Sequence, residues 1–202
     1  MREHLPPEIR KPTSHPRSST MAVTAKNTPH TQSLARQLST ENTSNSPVVQ
    51  DLRRQVANAT VLYLNYKHYH WQTFGPHFRD LHKLFDDLGK EVLETVDPLA
   101  ERVRMIGQDP PAHPLELLDL AGVTAAAPHS TMREMIEEAD RNLLVVIKEI
   151  RQAVKTADQH DDPGTVDLLS RLVQIHEKHE WWARDILRTG DGLCDTDRPS
   201  DQ

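Results

Sequence analysis

Apolar residues show no sustained period up to residue 46 and then fall into long stretches at helical spacing from Val48 onward. In the first stretch Leu52, Val56, Ala59, Tyr63 and Tyr66 recur at alternating four- and three-residue steps, and the next member of that stripe is His70, which is therefore expected to point inward. Gly75-Pro76 interrupts the pattern. A second helix is predicted from about His77 to Ile106, burying Phe78, Leu81, Phe85, Leu88, Leu99, Val103 and Ile106, with Pro98 inside it as an expected kink. A long connection with Pro110, Pro111, Pro114 and Pro128 follows, and its apolar segment from Leu115 to Leu120 suits a small helix. Thr131-Met132-Arg133-Glu134 reads as a capping box that opens a third helix to about Thr156. Asp162-Pro163, with proline at the first helical position, opens a fourth that ends near Gly190. There is no strand signal and no internal repeat. The predicted architecture is all-α: a four-helix bundle over residues 47–190, with a long connection carrying a short extra helix between its second and third helices.

Composition changes this picture at the ends of the chain. The first 46 residues contain no Gly, Trp, Tyr or Phe and 14 Ser or Thr, as expected of a disordered polar tail. Residues 191–202 form a short acidic tail, and Met21 is an alternative start. The whole chain carries 24 basic and 30 acidic side chains, a formal charge of −6. Arg2, Arg10, Lys11, Arg17, Lys26 and Arg36 against Glu3, Glu8 and Glu41 make the N-terminal tail +3, which leaves −9 for the remainder. Net charge cannot hold DNA to such a body, so any DNA contact falls to the tail, which is either a DNA-touching arm or a solvated terminus. The longest uninterrupted apolar run, Leu143 to Ile147, is too short to span a bilayer. Cys194 is the only cysteine, which excludes intrachain disulfides and thiolate metal clusters and suits a reducing, cytoplasmic setting.

Twelve histidines are the compositional anomaly. His82 with Asp86, and Asp97 with Glu101, are i,i+4 pairs, so each pair occupies one helix face and offers donors together to a metal. Eleven residues separate Asp86 from Asp97, close to three turns, so the two pairs share a face. They are about 16 Å apart along the axis, too far for one ion held by ligands about 2 Å from it. If His70, His82, Asp86, Asp97 and Glu101 serve one site, a second antiparallel copy of the helix must complete it. The expected arrangement is a two-fold homodimer with two identical sites, each taking His70, His82 and Asp86 from one chain and Asp97 and Glu101 from the other. Mixed imidazole and carboxylate ligation suits iron, with Zn or Mn as competitors; the alternative is a set of ordinary surface polar groups.

The run His70-Trp71, Gly75, Phe78, His82-x3-Asp86, then Asp97-x3-Glu101-Arg102 resembles the ferroxidase signature of the Dps miniferritins, the DNA-binding proteins from starved cells. The resemblance covers roughly 70% of the chain in helix order and implies a ferritin-like bundle assembled into a hollow shell of twelve subunits. It further implies oxidation of Fe(II) to Fe(III), preferably with hydrogen peroxide, storage of Fe(III) mineral, and protection against oxidative stress. His70, His82, Asp86 and Glu101 match the family's iron ligands, and Asp97 is a ligand or a partner of one. The family's name keeps a nucleoid-associated, DNA-compacting role as the competing reading. Glu-x-x-His occurs nowhere in the chain, which argues against an intrasubunit di-iron site.

Several residues remain with two readings each. Lys67, one turn before His70, is a candidate partner for the carboxylates. Trp71 is a packed core aromatic or a trap for stray oxidising equivalents, and packing is the simpler account of the cluster of Tyr63, Tyr66, Tyr69, Trp71, Phe74 and Phe78. His179 continues a stripe of Leu168, Leu172, Ile175, Trp182 and Ile186, as a core imidazole or an extra ligand; His176 is equally open. His68 lies on the far side of its helix from His70. For the acidic turn of Asp158, Asp161, Asp162 and Asp167 the resemblance implies the lining of an iron-gathering pore, with Asp167 foremost; the alternative is a set of acids that complements a helix N-terminus.

Overall fold

The computed structural model describes residues 46–128 and 131–188. The predicted polar tail up to residue 45, Met21, Cys194 and the acidic C-terminal tail lie outside the described residues. The described chain is helical: α1 (Pro47–Gln72), α2 (Phe78–Met105), α3 (Pro114–Leu120), α4 (Met132–Gln159) and α5 (Pro163–Leu187), with no strand among the described residues. α1 pairs with α2 and α4 with α5 as two hairpins, which close on each other through α1 against α4 and α2 against α5, while α3 lies against α1. This is the predicted four-helix bundle with a short helix in the long connection.

Local chemistry sets the ends. Pro47 occupies the first turn of α1. The α2 terminus has Gly107 at φ +90°, its N–H donating to Arg104 O at 2.9 Å while Gln108 N donates to Val103 O at 3.1 Å. That pair of bonds is a Schellman closure, which needs a left-handed residue and hence glycine. The capping box at Thr131 and Glu134 is formed in both directions. Asp162 caps α5 by accepting from Thr165 N. α2 continues through Pro98 to Met105 without a break, so the proline costs the helix one donor and does not end it.

The core holds Leu52, Val56, Tyr66 and Tyr69 from α1, Phe85, Leu88, Leu99 and Val103 from α2, Leu143 and Ile150 from α4, and Leu169 and Leu172 from α5. Two predicted core faces are corrected. On α5 the fully buried positions are Thr165, Leu169, Leu172, His176, His179 and Ala183; of the predicted stripe Leu172 and His179 are among them, Leu168, Ile175 and Trp182 are half-buried against the core, and Ile186 is exposed. Phe78, predicted to be buried, is exposed and stacks instead on the His82 ring at 4.9 Å.

Three side-chain amides tie the connection after α3 into the bundle. Asn58 Oδ1 accepts from Gly122 N at 2.8 Å and Val123 N at 3.3 Å, and its Nδ2 donates to Glu149 Oε2 at 2.6 Å. Asn65 accepts from Ala126 N and donates to Thr124 O, both at 2.8 Å. Asn142 accepts from Thr124 N at 3.0 Å and donates to Thr124 O at 3.1 Å. Main-chain groups that cross a packed bundle thus have partners, as burial requires. Asn58→Ala leaves two amides and Glu149 short of a partner and is expected to cost about 3 kcal/mol of stability; a urea midpoint equal to wild type would contradict this.

Candidate metal centre

Four of the five predicted ligands are on α2 and the fifth, His70, is in the last turn of α1, brought back alongside by the turn at Gly75. A carbonyl in the last helical turn has no intrahelical partner. The carbonyl of His70 finds one in His82, whose Nδ1 donates to it at 2.8 Å, and the relation is reciprocal, His70 Nδ1 donating to His82 O at 2.7 Å. The two rings stack with centroids 3.6 Å apart, and Phe78 covers the outer face of His82. Because a carbonyl only accepts, each Nδ1 carries the proton, and in the neutral ring each Nε2 keeps its lone pair. The clasp therefore fixes the tautomer that a metal ligand needs and fixes both ring planes.

Asp86 lies one turn beyond His82. Its Oδ1 accepts from Lys67 Nζ at 2.9 Å and its Oδ2 is 2.5 Å from Lys90 Nζ. Lys90 and Lys67, in that order of effect, hold the Asp86 carboxyl well below the usual carboxylate range, so it is ionised throughout the physiological range. The pairing of Lys67 was predicted; that of Lys90 was not, although its i,i+4 spacing from Asp86 made it readable. Lys67 also lies 5.9 Å from the centroid of the Trp71 ring. Trp71 is 68% exposed, and Phe74 and Phe78 are exposed with it, so the core reading fails for these three; Tyr66 and Tyr69 are buried as expected.

Asp97 and Glu101 are exposed, further along the same helix. The structure thus brings His70 and His82 together, with Asp86 one turn further along α2, and leaves Asp97 and Glu101 about 16 Å beyond Asp86 by helical rise. Among the described residues no group of three His, Cys, Asp or Glu side chains is placed to hold a metal within the chain. The next residue, Arg102, is locked down: it donates to Asp162 Oδ1 at 2.5 Å and to Thr165 Oγ1 at 3.0 Å. A Cβ on Gly164 would meet its guanidinium at 2.9 Å, so glycine is what lets α5 approach. The same bonds occupy Asp162, which acts as a helix cap and ion-pair partner, while Asp167 is exposed and pairs with Arg171 at 3.0 Å.

His176 and His179 are both in the bundle core, away from the flank that carries His70 and His82. His179 Nε2 is 3.2 Å from Glu91 Oε2, its ring lies edge-on to Tyr66, and Lys178 pairs with the same Glu91 at 2.6 Å. Burial pushes His176 down to about 3, helped by the neighbouring His179, and pushes His179 down to about 4 against the pull of Glu91. Both are neutral in the fold, whereas an unfolded imidazole titrates near 6.5. The unfolded chain thus binds the extra protons, so stability is full above about pH 6.5 and is lost as pH falls toward the folded values. His176→Leu is expected to flatten the acid limb of a urea-midpoint profile between about pH 7 and about pH 4.5; an unchanged slope would refute the burial account.

The ferritin-like domain matches residues 49–193 of the chain. General stress protein 20U of Bacillus subtilis (strain 168) is 34% identical over 140 residues, 69% of this chain and 97% of that protein. The DNA protection during starvation protein of Brevibacillus brevis is 36% identical over 136 residues, 67% of this chain and 91% of that protein. The X-ray structure of Dps from Thermosynechococcus elongatus is 44% identical and superposes with a TM-score of 0.71, covering 81% of this chain and 98% of that one. The matched span begins with α1 and runs past α5, so the likeness takes in the whole bundle, and the chain belongs to the Dps family of ferritin-like proteins.

Proposed function

We propose that the protein oxidises Fe(II), with hydrogen peroxide or dioxygen as the oxidant, at sites shared between two-fold-related subunits, and keeps the Fe(III) as mineral inside a hollow shell of twelve subunits. The observation that carries this reading is the reciprocal clasp of His70 and His82, which leaves two oriented Nε2 lone pairs, with the Asp86 carboxylate one turn further along α2. Asp97 and Glu101, too far along α2 to join them in one chain, complete the site from the neighbouring subunit. Imidazole with carboxylate is a donor set for Fe(II), with Zn(II) and Mn(II) as competitors. Two Fe(II) give up two electrons to one peroxide, which takes up two protons and leaves as two waters, so no one-electron fragment is released. Removal of iron and peroxide together would account for protection during starvation, the role in the names of the relatives.

The acidic balance of the chain supports storage over DNA compaction, because an anionic body gathers cations and repels phosphate. In this reading the exposed Asp167 belongs to an entry path for Fe(II), and the shell resides in the cytoplasm. No helix among the described residues is long and apolar enough to cross a membrane. The test is an anaerobic Fe(II) load followed by peroxide. Near-ultraviolet absorbance should rise at once and the Fe(III) should co-elute with a twelve-subunit particle; iron that oxidises no faster than in buffer and elutes apart from the protein would overturn the reading.

A further inference from the structure

The last turns of α5 leave an apolar groove open. Leu84 of α2 and Trp181, Trp182, Asp185 and Ile186 of α5 line an opening of about 360 Å³. Trp181 is 49% exposed and Ile186 is 37% exposed, so two large apolar side chains in one groove have no cover among the described residues. Trp182 is half-buried, and the Lys178 ammonium lies 5.1 Å from its ring centroid, which holds that wall in place. Asp185, the one acid of the lining, is 4.0 Å from the Arg188 guanidinium. Because Leu84 stands between His82 and Asp86 on α2, whatever fills the groove ties the end of α5 to the part of α2 that presents His82.

We propose that this groove seats the chain's own continuation, residues 189–194, with the Leu193 side chain inserted against Trp181 and Ile186. The choice of occupant follows from where the chain leaves α5. The helix ends at Leu187, and Arg188 takes an extended backbone at φ −58° and ψ 140°, so the chain departs from the rim of the groove itself. The continuation Thr189-Gly190-Asp191-Gly192-Leu193-Cys194 places two glycines, which adopt the left-handed backbone of a reversal without strain, ahead of the first large apolar side chain after Arg188. The five residues from Arg188 to Leu193 reach about 17 Å when extended, whereas Trp181 lies about 7.5 Å back from Ile186 by helical rise, so the leucine arrives with slack for the turn. The domain match likewise extends beyond α5 as far as residue 193. Attachment at the rim gives the leucine an effective concentration of about a millimolar, enough to hold a weak apolar contact that a separate molecule would not make. The docked segment thus acts as a strap across α5 and α2 at the His82 end of the bundle.

The test uses the full-length assembled protein in a Trp71→Phe background, where only Trp181 and Trp182 emit. Leu193→Ser, a change beyond α5, should raise the acrylamide quenching constant of these tryptophans about two-fold by returning them to water. Leu193→Met should leave it at the parent value, because methionine fills the space of leucine. Cys194, the only thiol, gives a second reading. Its alkylation by neutral iodoacetamide, referred to the same chain in urea, should be about ten-fold slower in the parent than in Leu193→Ser or Ile186→Ser. The proposal stands only if both readings respond to Leu193 while the assembly keeps its size. A parent thiol that reacts as fast as in the unfolded chain overturns it. If a second copy covers the groove instead, Ile186→Ser breaks the assembly down while Leu193→Ser changes neither reading, and the proposal is again overturned.

Discussion

The His70→Ala, His82→Ala double variant is expected to lose peroxide-driven Fe(II) oxidation by at least about 100-fold, down to the rate of iron in buffer. Loss of a single group that orients a ligand already costs about 10- to 100-fold in metal affinity or activity, and this variant loses two ligands together with their mutual orientation. The clasp makes the pair a unit. Removing one ring takes the stacking partner from the other and the donor from the main-chain carbonyl it capped, in the last turn of α1 or on α2, while the remaining ring keeps its own Nδ1 bond to the main chain. Each single variant should therefore fall most of the way to the double, and the two losses should not add. Because the clasp also closes the turn between α1 and α2, thermal unfolding must be recorded alongside, and a drop of about 1–2 kcal/mol is expected from the lost hydrogen bonds. His160→Ala, an exposed histidine at the far end of the bundle, serves as the control and should oxidise iron at the wild-type rate. A double variant as fast as wild type would remove the two imidazoles from the chemistry.

The elements of this fold were legible because their ends are written in local chemistry. Pro47, Gly75-Pro76, the Thr131 capping box and Asp162-Pro163 act within a turn or so of themselves, and the observed helix bounds follow them within a few residues. What depends on distant partners was not legible. On α5 the inward stripe was read off its centre: Leu168, Ile175 and Trp182 pack half-buried against the core and Ile186 is exposed, while the fully buried Thr165, His176 and Ala183 score as polar or neutral. The three buried asparagines bond to main-chain atoms of the connection, 18 to 65 residues away, and an asparagine in a helix carries no mark of such a partner. Trp71, Phe74 and Phe78 were given to the core for their size, but the turn at Gly75 leaves them on the flank beside His70 and His82. At the candidate site the spacing of His82, Asp86, Asp97 and Glu101 was readable since helical rise alone fixes it. The clasp was not, since it needs α1 and α2 to be paired in register. The lysine clamp was half readable: Lys90 stands at a fixed helical step from Asp86, but Lys67 reaches it only across that same pairing.

Helical rise also makes a prediction about whole assemblies that no single-chain substitution can make. If the histidine half and the carboxylate half of each site come from different subunits, one damaged chain can rescue another. Let the first chain carry His70→Ala with His82→Ala and the second carry Asp97→Ala with Glu101→Ala. Each should be nearly inactive alone, because every site in a uniform assembly lacks one half. In a mixed two-fold dimer one site receives both damaged halves and the other receives both intact ones. Random reassociation of equal amounts makes half of the dimers mixed, so about a quarter of all sites are restored, and the mixture should recover roughly a quarter of the wild-type rate of Fe(III) formation. The parents must be unfolded and refolded together, since shells mixed after assembly keep their uniform dimers and should stay inactive. A site confined to one chain gives a different result, because neither damaged chain contains an intact set and refolding together restores nothing. Recovery near a quarter therefore requires Asp97 and Glu101 to act across the interface, and its absence in a well-assembled mixture would return all five residues to separate roles.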